Sequence, residues 1–156
     1  MNFWLMKSEP TECSIDDVAQ APGQTVAWVG VRNYQARNFM RDDMRVGDGV
    51  LFYHSSTPKA ADIGIAGIAV VTSGAYPDAT QFDLTSCYFD AKSTSAAPRW
   101  VHVDVRFVRK TRLLSLAALR ADPALSSMRL LAPGSRLSIT PVCAAEWQHI
   151  KTLLEP

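Results

Sequence analysis

From Trp100 to Val108 the residues alternate one by one, with Val101, Val103, Val105 and Phe107 on one side and His102, Asp104 and Arg106 on the other. A period of two fits only an extended strand with one buried face, so this segment demands a sheet and an apolar body to cover it. Other segments supply partners. Phe3 to Lys7 is apolar without clean alternation and stops at Pro10, which reads as a buried strand entering a loop. Gly47-Asp48 turns into a strand at Val50–His54, and Ile63 to Thr72 forms another, with Gly64 and Gly67 permitting bulges or close approach. These last two are expected to pair.

Helical signals lie between the strands. Ser14 caps a short helix with Asp17 three residues on, close to a capping box, and Pro22-Gly23 ends it. From Asn33 to Met44 the spacing of Tyr34, Phe39, Met40 and Met44 predicts an amphipathic helix with Arg32, Arg37, Arg41 and Arg45 striped along one side. Short helices are expected at Ser115–Arg120 and Pro123–Met128, a short strand at Leu137–Ile139, and a final helix at Ala144–Leu154 with Trp147, Ile150 and Leu154 on its apolar face. Pro77 to Ala97 is polar and irregular, the longest excursion in the chain. With 156 residues, 47% of them apolar and 20% charged, the chain fits one α+β domain over residues 1–156: a mixed, mostly antiparallel sheet curled into a barrel with helices around it.

Much chemistry is missing. The chain has no His-Glu-x-x-His, Gly-x-x-x-x-Gly-Lys, Gly-x-Gly-x-x-Gly or Gly-x-Ser-x-Gly signature. His54 and Ser55 are adjacent, and neighbours along a strand point to opposite faces, so they cannot meet as base and nucleophile. His102 and His149 read as surface or packing residues, and neither a metal nor a cofactor is expected. Cys13, Cys87 and Cys143 are an odd, scattered set, read as free thiols. The longest apolar run, near Gly64–Val71, is far short of the roughly 20 residues that span a bilayer. The N-terminal segment reads as a strand rather than a secretory signal, so a cytoplasmic location is expected. A formal net charge of +1 argues against coating nucleic acid by bulk electrostatics. Any nucleic-acid affinity must come from a local site.

Four segments mix aromatic, amide, hydroxyl and cationic groups: Met6–Pro10, Trp28–Asn38, Phe52–Ser55 and Pro98–Trp100. A pocket for a planar base needs aromatic faces and polar groups aimed at the base edge. Each residue taken alone has a simpler reading: Trp28 and Trp100 fit a core, Tyr53 fits the sheet interior, and the arginines fit a solvated face.

Taken together, the wording resembles the EVE family over nearly the whole chain. The matching phrases are Met-Lys-Ser-Glu-Pro at 6–10, Trp-x-Gly-Val-Arg-Asn-Tyr-Gln-Ala-Arg-Asn at 28–38, Gly-Asp-x-x-Leu-Phe-Tyr-His-Ser at 47–55, Gly-Ile-Ala-Gly-Ile-Ala at 64–69, Ala-Tyr-Pro-Asp at 75–78, Pro-Arg-Trp at 98–100 and Arg-Leu-Ser-Ile-x-Pro-Val at 136–142. Two positions depart from the pattern: Val29 stands where the family often has Asp, and Cys143 where a Ser or Thr would cap the last helix.

The resemblance implies a PUA-like barrel related to the YTH readers, and recognition of modified bases, notably 5-methylcytosine and 5-hydroxymethylcytosine in DNA. It singles out Lys7, Ser8, Trp28, Asn33, Tyr34, Arg37, Asn38, Tyr53, His54, Ser55 and Trp100 as ligand-binding positions. On that basis an extruded base is expected between Trp28 and either Tyr53 or Trp100, with Ser8, Asn33, Asn38 and Ser55 on its edge and Lys7, Arg32 and Arg37 on flanking phosphates. The competing readings are a reader of modified RNA, an enzyme working through His54 and Asp90, and a small-molecule or protein-interaction module.

Overall fold

The computed structural model describes residues 1–155. Eight strands and four helices follow one another as β1 (Phe3–Ser8), α1 (Ile15–Gln20), β2 (Thr25–Ala27), α2 (Tyr34–Asn38), β3 (Gly49–His54), β4 (Gly64–Val71), β5 (Tyr76–Pro77), β6 (Val101–His102), β7 (Asp104–Ser115), α3 (Leu116–Ala121), β8 (Ile139–Val142) and α4 (Ala144–Leu154). Six strands form one sheet in the order β2-β7-β4-β3-β1-β8, antiparallel throughout except for the parallel pair β1–β3. β5 and β6 make a separate hairpin-like pair. Among the described residues no helix is long and apolar enough to cross a membrane.

The weak alternation of the first strand has a plain cause. β1 and β3 lie inside the sheet and are buried on both faces, so apolar residues are required at every position. Trp4, Met6, Val50 and Phe52 join one core with Ile15 and Val18 of α1, Ala36 of α2, and Trp28 and Val31 of the β2–α2 connection. Leu5, Leu51 and Tyr53 join the opposite core with Leu119 of α3 and Trp147, Ile150 and Leu154 of α4. β3 and β4 pair as expected, and β4 carries irregularities against β7 near Ile65–Ala69. A Cβ at Gly67 would lie 2.6 Å from the Ile15 side chain, so the glycine is what lets α1 approach the sheet.

The strand segment at 100–108 is not one strand. β6 ends at His102, Val103 is buried with its carbonyl accepting the Trp28 N–H, and β7 runs on to Ser115. His102 was expected on the polar side, yet it is buried, because Tyr76 packs edge-on against it at 4.0 Å.

Around α2 the expected twelve-residue helix is interrupted. Asn33 caps α2 by accepting the Ala36 N–H, and after Asn38 the chain widens into a π-type turn at Phe39–Asp43 closed by Met44 N–H to the Phe39 carbonyl. The wider turn breaks the four-residue register, and the arginine stripe with it. Arg32 turns to Asp78, Arg37 to Asn38 and the Arg99 carbonyl, Arg41 to Asp42, and Arg45 to the carbonyls of Asp42 and Met44.

Barrel closure is likewise incomplete. Among the described residues the hydrogen-bonded ladder ends at β2 on one side and β8 on the other. Three-residue β2 is fully occupied along one edge by β7. The seam between the two edge strands stays open, and a cleft lies beside it, between β2 and the segment leading into β8.

Candidate functional site

The cleft has a volume of about 510 Å³. One wall is β2 and its continuation, Val26 to Asn33; the other is the end of β1 with Lys7, Ser8, Glu9, Glu12 and Cys13; Ser55, Ser56, Arg136 and Ser138 complete the rim and Tyr88 comes from the long excursion. Residues of the edge strand β2, of the end of β1 and of the segment just before β8 therefore face one space, in the size range typical of small-ligand sites.

Trp28 is held rigidly. Its N–H is bonded to Val103, and its indole meets the Phe52 ring edge-on, centroids 5.4 Å apart and planes at 83°. It contributes to the core and to the cleft wall at once. Of the two candidates for a second aromatic, neither lines this space. Tyr53 points into the α4-side core, as its position in phase with Leu51 requires. Trp100 is buried, stacks on Tyr34 at 4.8 Å, and donates its indole N–H to Asp90 Oδ2 at 2.7 Å. The second cleft aromatic is Tyr88, which lay in the excursion without a role assigned to it.

Tyr88 is positioned by three independent contacts. Its ring lies over Gly30, whose φ of +86° and missing side chain make room for it. Its carbonyl accepts from Arg32 Nε and Nη2 at 3.1 and 2.8 Å. Its hydroxyl donates to Glu12 Oε1, joining the excursion to the β1–α1 loop, and burial together with that carboxylate pushes the phenol pKa up.

Arg32 was expected to bind phosphate, and its geometry leaves it nothing to offer. A guanidinium has five N–H donors. All are used: on the Tyr88 carbonyl twice, on the Val31 carbonyl, on Asp78 Oδ2 and on Thr80 Oγ1. Asp78 is fully buried, and burial alone would raise its pKa. The Thr80 hydroxyl, the Gly30 and Thr80 N–H groups and the Arg32 guanidinium outweigh that and hold it below the usual carboxylate value. Arg32 and Asp78 thus staple the base of the excursion to the Trp28 segment. The excursion is further pinned by buried Gln81, whose amide bonds the backbone of Asp78 and Trp100.

Arg37 also serves structure, donating to Asn38 Oδ1 through Nε and Nη2 and to the Arg99 carbonyl, with its guanidinium 4.7 Å from the Tyr34 ring centroid. Arg37, Asn38 and Tyr34 form a cluster with Trp100 outside the cleft. His54 Nε2 accepts the N–H of Ile15 at the first turn of α1, and burial holds its pKa below the ordinary value. Ser8 donates to the Cys13 carbonyl at 2.6 Å, shaping the β1–α1 loop from within the cleft. Lys7 lines the cleft half-buried, which lowers its pKa, and Asn33 stands at the lip with its Oδ1 spent on the α2 cap.

Of the positions expected to bind, the structure brings Lys7, Ser8, Trp28, Asn33 and Ser55 together and leaves Tyr34, Arg37, Asn38, Tyr53, His54 and Trp100 elsewhere. It adds Tyr88, Glu9, Glu12, Val29, Ser138 and Arg136.

A model of the EVE domain family matches residues 2–153. The chain belongs to the EVE domain family. This EVE domain is 39% identical over 172 residues to thymocyte nuclear protein 1 of Homo sapiens, spanning 99% of this chain and 74% of that protein. A solved Pseudomonas putida protein matches it with a TM-score of 0.91 at 47% identity, over 98% of this chain and 99% of that one. The human THYN1 protein in complex with 5-methylcytosine containing DNA matches it with a TM-score of 0.92 at 38% identity, over 100% and 99% of the two chains. The PUA-like architecture expected from the resemblance is therefore the architecture of this EVE domain, with the seam between β2 and β8 left open.

Proposed function

We propose that this EVE domain is a non-enzymatic reader that takes a modified cytosine, extruded from DNA, into the cleft between Trp28 and Tyr88. The observation that carries the reading is the aromatic-walled cleft at the sheet seam, in a chain matched end to end by a protein solved with 5-methylcytosine containing DNA.

The lining suits the chemistry. A cytosine presents an exocyclic amine, which the carboxylates of Glu9 and Glu12 can accept, and ring acceptors, which the Asn33 amide and the hydroxyls of Ser55, Ser56 and Ser138 can meet. Leaving such groups unpaired costs roughly 1–3 kcal/mol each, and that cost rejects the wrong base. A 5-methyl group would rest against Val26, Val31 or Cys13, whose thiol is kept neutral by burial and by the nearby charges of Asp17 and Glu12. Burying one methyl is worth roughly 0.8 kcal/mol, so preference for the methylated base is modest. Arg136 on the cleft rim, and Lys7, whose ammonium lies 5.9 Å from the Tyr53 ring centroid, are the phosphate contacts, Arg32 being spent on its own hydrogen bonds. His54 and Asp90 are engaged elsewhere, His54 with the Ile15 N–H and Asp90 with the Trp100 indole.

Fluorescence anisotropy with matched DNA and RNA oligonucleotides tests the reading. Carrying cytosine, 5-methylcytosine, 5-hydroxymethylcytosine or N6-methyladenine at one position, they should rank with a modified cytosine in DNA tightest. Equal, weak binding to all of them refutes it.

A further inference from the structure

Leu84 is 82% exposed, and among the described residues only Met1 exceeds it as an exposed large apolar side chain. It stands at the tip of a loop that is not loose. The loop's neck is closed by Asp90 N–H to the Gln81 carbonyl at 3.0 Å, and Gln81 is itself buried. Inside, Asp83 Oδ1 accepts the Thr85 N–H and hydroxyl, turning its charge back into the loop, and Ser86 and Phe89 N–H groups close two further turns. Phe82 and Phe89, 37% and 38% exposed, flank the tip.

The same loop carries Tyr88, four residues from Leu84, and is fixed to the cleft wall by the two Arg32 bonds to the Tyr88 carbonyl. An ordered loop thus presents Tyr88 to the cleft and, four residues earlier in the chain, an uncovered leucine to solvent. Extruding a nucleotide leaves an unstacked step, and apolar side chains such as Leu and Phe fill such steps as wedges. We infer that Leu84 is a wedge that enters the DNA base stack at the step vacated by the nucleotide held in the cleft. The inference rests on the reader function proposed above.

Wedge and pocket separate experimentally. In a single strand the base is already unstacked, so a wedge contributes nothing, whereas the cleft still binds. Anisotropy titrations of wild type, Leu84→Ala and Tyr88→Ala are made against a short duplex with one central 5-methylcytosine and against the same strand alone. Leu84→Ala should weaken duplex binding roughly tenfold, equivalent to about 1.4 kcal/mol, and leave single-strand binding unchanged, while Tyr88→Ala weakens both. Unchanged duplex affinity in Leu84→Ala, or equal losses on duplex and single strand, overturns the wedge while leaving the cleft reading intact. Failure of the wild-type protein to bind either probe overturns both. Leu84 is so exposed that loss of folding is not a competing explanation for the alanine variant.

Discussion

Gly30 and Tyr88 fit against each other so closely that a Cβ on residue 30 would lie 2.6 Å from the Tyr88 Cζ. The left-handed backbone at Gly30, φ +86°, brings its N–H to Asp78 Oδ2 at 2.8 Å and opens the space the phenol fills. One residue therefore sets the position of a cleft aromatic that comes from nearly 60 residues further along the chain.

Gly30→Ala should cost about 1–2 kcal/mol for the left-handed backbone and displace the Tyr88 ring besides. Affinity for 5-methylcytosine DNA is expected to fall by more than this stability loss explains. Urea unfolding and anisotropy on the same preparations check the two effects; a variant with native affinity would show that the Tyr88 position is immaterial.

Arg32 and Arg136 should separate cleanly by salt dependence. Arg32→Lys cannot reproduce five directed hydrogen bonds, so it is expected to lose about 2 kcal/mol of stability and expose the excursion to proteolysis, with the salt slope of DNA binding unchanged. Arg136→Ala should leave the melting temperature in place and reduce the slope of log K against log salt by roughly 1. Titrations at several salt concentrations measure both.

The imidazole of His54 accepts the Ile15 N–H, and burial holds its pKa below the ordinary 6.5, with Lys110 lowering it further against opposing contributions from Asp16 and Asp17. The folded state thus binds the proton less readily than the unfolded chain. Its contribution is complete above pH about 6.5 and is lost as pH falls toward the lowered folded value. Wild type should lose melting temperature over that window, and His54→Gln, which keeps an acceptor without titrating, should lose less. Parallel slopes for the two proteins would contradict this.

At the start of α4 the Glu146 carboxylate takes the Cys143 N–H at 3.0 Å, one half of a capping box whose other half falls to a thiol. A hydroxyl is the better acceptor. Cys143→Ser should stabilise the protein by about 0.5–1 kcal/mol, measurable as a shift of the denaturation midpoint, with no change in DNA affinity.

These expectations draw on features the sequence revealed unevenly. The bounds of α4, the Ser14–Asp17 capping box and the β3–β4 pair were legible because periodicity and cap chemistry are local. β2, three residues long, carried too little pattern to be read. The break of the Asn33–Met44 helix turns on a π-type turn that leaves the apolar spacing intact, so it was invisible in the periodicity. Trp28, Lys7 and Ser55 sit in segments of mixed aromatic and polar character, but it was the resemblance to the EVE family that singled them out, and all three line the cleft. Tyr88 was missed because its place depends on an excursion held by Asp78 and Gln81 through side-chain bonds to backbone, which leave no periodic trace; Asp78-Ala-Thr80, an Asp able to turn back on the residue two on, was the one local signal. Tyr53 and Trp100 have the composition of base-stacking residues and are placed by burial in the opposite core and beside Tyr34 instead.

The central claim is that Trp28 and Tyr88 hold the base. The most direct measurement is photocrosslinking with a DNA duplex carrying 5-iodocytosine, whose C5 substituent occupies the place of the methyl group, followed by mass spectrometry of the tryptic peptides. Attachment at Trp28 or Tyr88, abolished by excess unlabelled 5-methylcytosine duplex, is the predicted result. Attachment at Tyr34, Tyr53 or Trp100, or adducts scattered over the surface, would contradict it.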